Sequence, residues 1–206
     1  MMNIEPIILD GNHVRLEPLS LAHHSQLCNV GLDKDLLLWT ESYSPTSAGL
    51  SGYIEKALVM QREGRALPFA VISKASNCIV GSTRLGNIDS AHRRVEIGWT
   101  WYGVSWQRTA VNTETKYLLL RHAFETLGCI RVEFKTDVLN EKSRRALLRI
   151  GAKEEGIFRK HMILSSGRVR DTICFSIIDD EWPEVKTRLE KFLFSNCSSR
   201  HAVLVK

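Results

Sequence analysis

The sequence predicts a single α/β domain with a mixed central β-sheet flanked by helices. The chain has 206 residues, 44% of them hydrophobic and 25% charged, which is enough apolar material for one sizeable core. Strand patterns dominate its first half, and strand and helix patterns alternate in its second half. A run of strands followed by strand–helix units is typical of one mixed sheet covered by helices.

Hydrophobic periodicity assigns each element in order. Apolar residues that alternate with polar ones, or that run without a break, predict strands over 13–19, 67–74, 78–87, 94–102, 130–138, 153–164 and 169–178. Apolar spacings of three and four, with polar caps and terminal glycines, predict helices over 20–32, 47–63, 112–127, 140–150 and 181–194. Ser47 or Ser51 is expected to open the second helix, and residues 165–168 are expected to form a hairpin turn.

Domain boundaries are expected near residues 11 and 194. Residues 1–10 are predicted to be an N-terminal extension without signal-peptide order, and residues 195–206 a loosely ordered C-terminal tail. No apolar run reaches the roughly 20 residues that span a bilayer, so no membrane partner is expected. Five cysteines at wide spacing indicate neither a disulfide framework nor a zinc site. We therefore expect a cytoplasmic protein without a metal.

The charge balance favours an anionic partner. The net charge is +5 and the isoelectric point is near 9.0. Nucleic acid and a phosphorylated cofactor would both suit such a surface, and bulk charge does not choose between them. The sequence contains no helix-turn-helix, zinc-finger or interleaved aromatic–basic pattern, so nucleic acid is not the expected ligand.

The strand over 94–102 carries the first chemical signal. Period two places four apolar residues on one face, Val95, Ile97, Trp99 and Trp101, and three residues on the other, Glu96, Gly98 and Thr100. Gly98 would let a ligand approach the strand backbone closely. The alternative is a glycine at a bulge beside a solvated glutamate.

Two helix openings carry the other signals. The segment Gln107, Arg108, Thr109, Ala110, Val111 and Asn112 leads into a long helix, whose free N–H groups would suit a pyrophosphate. Asn140 opens the next helix, with Ser143 on the same side of its first turn. The alternative in each case is simple capping, by Asn112 or Thr113 in the first helix and by Asn140 in the second.

These motifs together resemble those of the GNAT acetyltransferases, above all the branch with the ribosomal-protein N-terminal alanine and serine acetyltransferases. The resemblance runs from about Gly11 to Ile178. It rests on the order of four motifs: Glu96 to Trp99, the segment 106–114, Asn140-x-x-Ser143, and the segment 150–156.

The resemblance implies acetyl-CoA as co-substrate. The strand with Gly98 would splay from the strand beginning near Ile130, and pantetheine would lie in the gap against the backbone of Ile97, Gly98 and Trp99. Residues 107–112 would hold the pyrophosphate, and Asn140 would contact pantetheine. The family loop usually has glycines where this chain has Arg108 and Ala110. Either residue would be strained by about 1 kcal/mol if it took a positive φ.

The resemblance also implies N-acetylation of a primary amine, on a protein N-terminus or a small molecule. We expect Glu96 to act as general base and Ser143 to protonate the departing thiolate. Candidate acceptor-site residues are Trp39, Glu41, Tyr43 and Arg84, although each residue taken singly is more often core or surface filler. The alternative functions are a non-catalytic acyl-CoA sensor and, less favoured, a nucleic-acid-binding module. A homodimer could form through an exposed strand edge and the Trp182 helix.

Overall fold

A computed structural model describes residues 2–39 and 43–194 of the chain. Its strands are β1 (Leu9–Asp10), β2 (Val14–Pro18), β3 (Leu67–Ser73), β4 (Cys78–Asp89), β5 (Arg94–Tyr102), β6 (Arg131–Asp137), β7 (Lys153–Ile163) and β8 (Val169–Ile178). Its α-helices are α1 (His24–Gly31), α2 (Ser47–Arg62), α3 (Ala110–Arg121), α4 (Glu141–Ile150) and α5 (Trp182–Phe194). The predicted tail over 195–206 lies outside the described residues.

The strands form one mixed sheet in the order β1-β2-β3-β4-β5-β6-β8-β7. Neighbours from β1 to β5 are antiparallel, β5 and β6 are parallel, and β6–β8 and β8–β7 are antiparallel. The predicted fold class is confirmed. Strand β7 lies at one edge of the sheet and all its residues are exposed, and a homodimer through this edge stays a prediction.

Helices cover both faces of the sheet, and each face has its own core. The α3-side core joins β5 residues such as Val95 and Ile97 to Leu119 of α3 and Leu189 of α5. The α2-side core joins side chains of α1 and α2 to the opposite face, and its members include Leu27, Leu50, Ile54 and Trp101. Burying both faces explains why several strands have continuous apolar runs.

One predicted helix start is wrong by two residues, and one is confirmed. Helix α3 begins at Ala110 rather than Asn112, because the hydroxyl of Thr109 accepts the N–H of Val111 and donates to the carbonyl of Trp106. It ends at Arg121, and a π-helical turn over His122–Thr126 follows. Helix α2 begins at Ser47, one of the two predicted starts, and its N-cap is Thr46, whose hydroxyl accepts the N–H of Gly49.

The predicted alternation along β5 is wrong beyond Ile97. Trp99 has φ +50°, and the pairing with β4 shifts register between Ser82 and Arg84. This β-bulge inserts one residue, so the later side chains change faces. Trp99 and Trp101 pack in the α2-side core, whereas Thr100 faces Lys116 of α3.

The structure also bears on membranes and metals. None of the helices within residues 2–39 and 43–194 is long and apolar enough to cross a membrane. The same residues contain no group of three or more His, Cys, Asp or Glu side chains placed to hold a metal ion.

Candidate active site

A wedge opens between the two parallel strands at the centre of the sheet. Strands β5 and β6 pair only at Arg94 with Arg131, Val95 with Val132, and Glu96 with Glu133. Both strands continue past these pairs, to Tyr102 and Asp137. The backbone of Ile97, Gly98 and Trp99 therefore lies along a gap, as the splayed strand pair of the predicted fold requires.

Two helix N-termini flank the open end of this wedge. Strand β5 leads into α3 and β6 leads into α4. Because the two strands are parallel, both helices begin near the carboxyl ends of these strands. Helix N-termini offer unpaired N–H groups and a partial positive charge. The first turn of α3 contains no acidic residue, and Arg108 just before it is exposed. The two helix N-termini at the carboxyl ends of β5 and β6 can therefore bind an anion such as a pyrophosphate.

Arg108 and Ala110 stand where the resemblance leads us to expect glycines, and only one of them has a backbone angle that favours glycine. Arg108 has φ +60°, in the left-handed region that favours glycine, whereas Ala110 begins the helix with ordinary backbone angles. Gln107 is exposed and its side-chain amide donates to the carbonyl of Tyr102 at 3.4 Å. The loop is therefore anchored to β5 while its arginine faces solvent.

The other predicted phosphate-loop residues differ in what they can offer. The hydroxyl of Thr109 already caps α3, and the side chain of Val111 is buried in the α3-side core. Val111 can therefore contribute only its backbone to a ligand. Asn112 lies half-buried in the first turn of α3.

Asn140 and Ser143 lie at the start of α4, on the other side of the wedge. The side-chain oxygen of Asn140 accepts the backbone N–H of Ser143 at 3.1 Å, so Asn140 is the N-cap. Both residues are half-buried. Capping uses the side-chain oxygen of Asn140 and the backbone N–H of Ser143, so this hydrogen bond does not involve the Ser143 hydroxyl.

Glu96 is buried rather than solvated. Its Oε2 accepts hydrogen bonds from Nζ of Lys135 at 2.8 Å and from Nδ2 of Asn87 at 2.9 Å, and its side chain is 9% exposed. Its Oε1 would lie 3.1 Å from a Cβ atom at Gly98. One carboxylate oxygen is thus held, while the other faces the space that the missing Gly98 side chain leaves.

The surroundings of Lys135, the ion-pair partner of Glu96, change the pKa of its amine. Burial lowers the pKa of Lys135, but its hydrogen bond to Glu96 and the charges of Glu96 and Glu133 outweigh burial and leave that pKa above its ordinary value. A cation held in this way fixes the position of the Glu96 carboxylate.

A buried lysine closes the wedge from the α3 side. Nζ of Lys116 donates to Oγ1 of Thr100 on β5 at 3.1 Å and lies 5.6 Å from the ring centroid of Phe134 on β6. Burial lowers the pKa of this amine to about 7, against the opposing charge of Glu96. The hydroxyl of Thr100 also contacts the carbonyl of Gly98 at 3.3 Å, so this lysine braces the bulge.

Comparison with known proteins identifies the family. A family model described as an acetyltransferase (GNAT) domain matches residues 13–153, more than half of the chain. The chain belongs to the GNAT acetyltransferase family.

Similar proteins share this assignment. "Putative ribosomal N-acetyltransferase YdaF" of Bacillus subtilis (strain 168) is 34% identical over 104 residues, which cover 50% of this chain and 56% of that protein. The aligned part thus spans little more than half of that relative. "Uncharacterized N-acetyltransferase YoaA" of the same organism is 26% identical over 125 residues, 61% of this chain and 70% of that protein. A crystal structure of a GCN5-related N-acetyltransferase from Brucella melitensis is 36% identical and superimposes with a TM-score of 0.84 over 92% of this chain and 86% of that chain.

The structure of this GNAT protein brings two of the predicted acceptor residues together. Tyr43 packs on Tyr53 at 5.3 Å between ring centroids, and the guanidinium of Arg84 lies 4.8 Å from the centroid of the same Tyr53 ring. Trp39 lies elsewhere, with its ring 5.6 Å from the guanidinium of Arg168 in the β7–β8 hairpin. Glu41 lies outside the described residues.

Several residues of the candidate site were not predicted from the sequence. Lys135 alternates with Phe134 along β6, and that pattern could have indicated a partner for Glu96 once β5 and β6 were known to be neighbours. Asn87 reaches the site from an irregular part of β4, and Lys116 reaches it from a helix face, and no local pattern reveals either position.

Proposed function

We propose that this protein transfers an acetyl group from acetyl-CoA to a primary amine, on a small molecule or a protein N-terminus, by direct attack without an acyl-enzyme. The wedge between β5 and β6, with two helix N-termini at its open end, is the observation that carries this proposal. Such a gap fits an extended chain that ends in a pyrophosphate.

The residues along the wedge fit this co-substrate. Backbone groups of Ile97, Gly98 and Trp99 would pair with pantetheine, and Gly98 leaves space for the chain. Arg108 and the N–H groups at the start of α3 would bind the pyrophosphate. Asn140 would contact pantetheine on the α4 side.

The reaction needs a proton acceptor, an oxyanion site and a proton donor. The amine nitrogen bonds to the thioester carbonyl carbon, and the carbon–sulfur bond then breaks. The free Oε1 of Glu96 takes the proton that the amine loses, directly or through a water molecule. A backbone N–H in the bulge at Trp99 binds the carbonyl oxygen as it gains charge. The hydroxyl of Ser143 gives its proton to the thiolate and recovers one from solvent.

Calorimetric titration with acetyl-CoA, followed by an amine panel read by free-thiol release, tests the proposal. We expect saturable binding and thiol release with at least one class of amine. Binding without turnover on any amine would favour a non-catalytic acyl-CoA sensor, and failure to bind any CoA ester would contradict the proposal.

Ser143→Ala separates catalysis from binding in the same assays. If Ser143 is the proton donor, turnover falls while the affinity for acetyl-CoA stays near that of the wild type. A large loss of affinity would instead give Ser143 a structural or binding role.

A further inference from the structure

Arg84 on β4 is a buried cation between two aromatic rings. It is 2% exposed, and its guanidinium carbon lies 4.8 Å from the ring centroid of Tyr53 and 4.9 Å from that of Trp99. One terminal nitrogen, Nη1, contacts Sδ of Met60 at 3.5 Å, a weak acceptor. The guanidinium is thus held in a fixed plane by packing.

Two of its nitrogens have no hydrogen-bond partner. Nε and Nη2 are buried and unsatisfied, and no carboxylate among residues 2–39 and 43–194 makes an ion pair with Arg84. The guanidinium is therefore a buried cation without a carboxylate partner among those residues, and the aromatic contacts offset the cost of its burial only in part.

Three buried carboxylates of the protein, by contrast, are paired. Glu114 accepts three backbone N–H groups, Asp137 accepts Arg168 at 2.5 Å, and Glu96 accepts Lys135. The Nε and Nη2 atoms lie along one side of the guanidinium, the pair that binds both oxygens of a carboxylate. The side of the Arg84 guanidinium that carries the unpaired Nε and Nη2 therefore has the geometry that binds a carboxylate.

Arg84 and Glu96 share one face of the sheet. Arg84 pairs across the strands with Gly98, and Glu96 pairs with Gly86. The two residues are diagonal neighbours, which places their backbones about 7–8 Å apart. A carboxylate bound at Arg84 would leave the rest of a short molecule within reach of the proton acceptor.

We propose that Arg84 binds a carboxylate of the acceptor, so that the preferred substrates are small amines carrying a carboxylate, such as free amino acids. This inference rests on the proposed acetyl transfer. Tyr53 is 3% exposed whereas Trp99 is only half-buried, so the carboxylate reaches the guanidinium from the Trp99 side by displacing that indole.

The test compares matched acceptors on the wild-type protein. Free amino acids and their carboxamides share the α-amine but differ in charge at the carboxyl group, and rates are compared at equal concentrations of the unprotonated amine. We expect kcat/KM for the acids to exceed that for the amides by tenfold or more. Equal rates, or faster acetylation of amides and peptide amides, would overturn the inference while leaving acetyl transfer intact. No transfer to any amine, by contrast, would fail the proposed function itself.

Variants then assign the preference to Arg84. In Arg84→Met we expect KM for the acids to rise and the acid-over-amide preference to vanish, with acetyl-CoA affinity by calorimetry unchanged. Arg84→Lys should recover part of the preference, and Arg65→Met, at an exposed arginine that pairs with Glu63, should retain all of it. An equal loss for acids and amides in Arg84→Met would make Arg84 structural. If Arg84→Met does not fold, the wild-type comparison, together with competitive inhibition by carboxylates that lack an amine, still decides the question.

Discussion

At the scale of single residues, the two oxygens of Glu96 have different surroundings. Oε2 is held by Lys135 and Asn87, and Oε1 faces Gly98. A base held in this way loses little orientational freedom before it takes a proton. The same ion pair also opposes movement of the carboxylate away from the wedge.

Glu96→Gln tests this role directly. We expect kcat/KM to fall by about 100-fold, because an amide cannot accept the proton, and we expect the acidic limb of the pH–rate profile to flatten. Steady-state kinetics across pH measure both effects. Glu133→Gln is the matched control, since Glu133 also lies within 3.5 Å of Nζ of Lys135 but belongs to β6. An unchanged rate and pH profile in Glu96→Gln would remove Glu96 from the mechanism.

Lys116 provides a test of stability against pH. Burial lowers its folded-state pKa to about 7, whereas an unfolded lysine titrates near 10.4. Between these values the unfolded chain binds one more proton than the folded protein, so stability rises with pH in that window. Below pH 7 both states are protonated, and the destabilisation is at its largest.

Lys116→Met should therefore change how the free energy of unfolding depends on pH. We expect its stability relative to wild type to be highest at pH 7 and below, and to fall by about 1.4 kcal/mol per pH unit between pH 7 and 9. Urea unfolding at several pH values measures this difference. Lys56→Met, at an exposed position on α2, should give a curve parallel to wild type. A parallel curve for Lys116→Met as well would mean that Lys116 is not neutral in the folded protein.

At the scale of elements, the loop into α3 combines strain with charge. Arg108 has φ +60°, and Arg93, in the turn before β5, has φ +47°. Glycine removes the strain of a positive φ, about 1 kcal/mol, at either position. Only Arg108 precedes the helix N-terminus that would bind the pyrophosphate.

The pair Arg108→Gly and Arg93→Gly separates these two effects. Both variants should be at least as stable as wild type in urea unfolding. Only Arg108→Gly should weaken acetyl-CoA binding, by roughly 10-fold or more, because a charge-assisted hydrogen bond to phosphate is lost. Tighter binding in Arg108→Gly would mean that the family's glycine geometry matters more than this arginine's charge.

Element order was predictable from the sequence, and element ends were less so. The cap at Asn140 and the hairpin over 165–168 follow from local chemistry, and both are present. The start of α3 does not follow from local chemistry, because Thr109, Asn112 and Thr113 are all residues that favour helix caps. A second hydrogen bond, from Thr109 to Trp106, decides between them. The bulge at Trp99 has no local signal, since a tryptophan at positive φ is maintained only by its tertiary contacts.

At the scale of the whole molecule, long-range partners were the least predictable part of the site. Lys135 meets Glu96 across 39 positions of sequence, and their contact depends on β5 and β6 being parallel neighbours. Helix α3 buries polar residues as well as apolar ones, Thr113, Glu114, Thr115 and Lys116 among them. Apolar spacing therefore identified this helix but underestimated how much of it is buried.

Glu114 links helix α3 to the N-terminal strands of the candidate domain. Its Oε1 accepts the backbone N–H of Asn12 at 2.9 Å, and its Oε2 accepts those of His13 at 2.6 Å and Val14 at 2.7 Å. A Cβ atom at Gly11 would lie 2.6 Å from the Glu114 carboxyl group, so the turn between β1 and β2 closes tightly over it. This carboxylate fixes the beginning of α3, and with it the proposed phosphate loop, against the first strands.

Glu114→Gln should therefore destabilise the whole fold. A side-chain amide has one acceptor oxygen and turns an N–H₂ group toward backbone donors, so we expect a loss of about 3 kcal/mol in the free energy of unfolding. Glu184→Gln is the matched control. Its carboxylate makes a single ion pair with Arg188 on the exposed surface of α5, where such pairs contribute about 1 kcal/mol or less. Urea unfolding should give a larger loss of stability for Glu114→Gln than for Glu184→Gln. Equal losses would show that the hydrogen bonds of Glu114 contribute no more to stability than a surface ion pair.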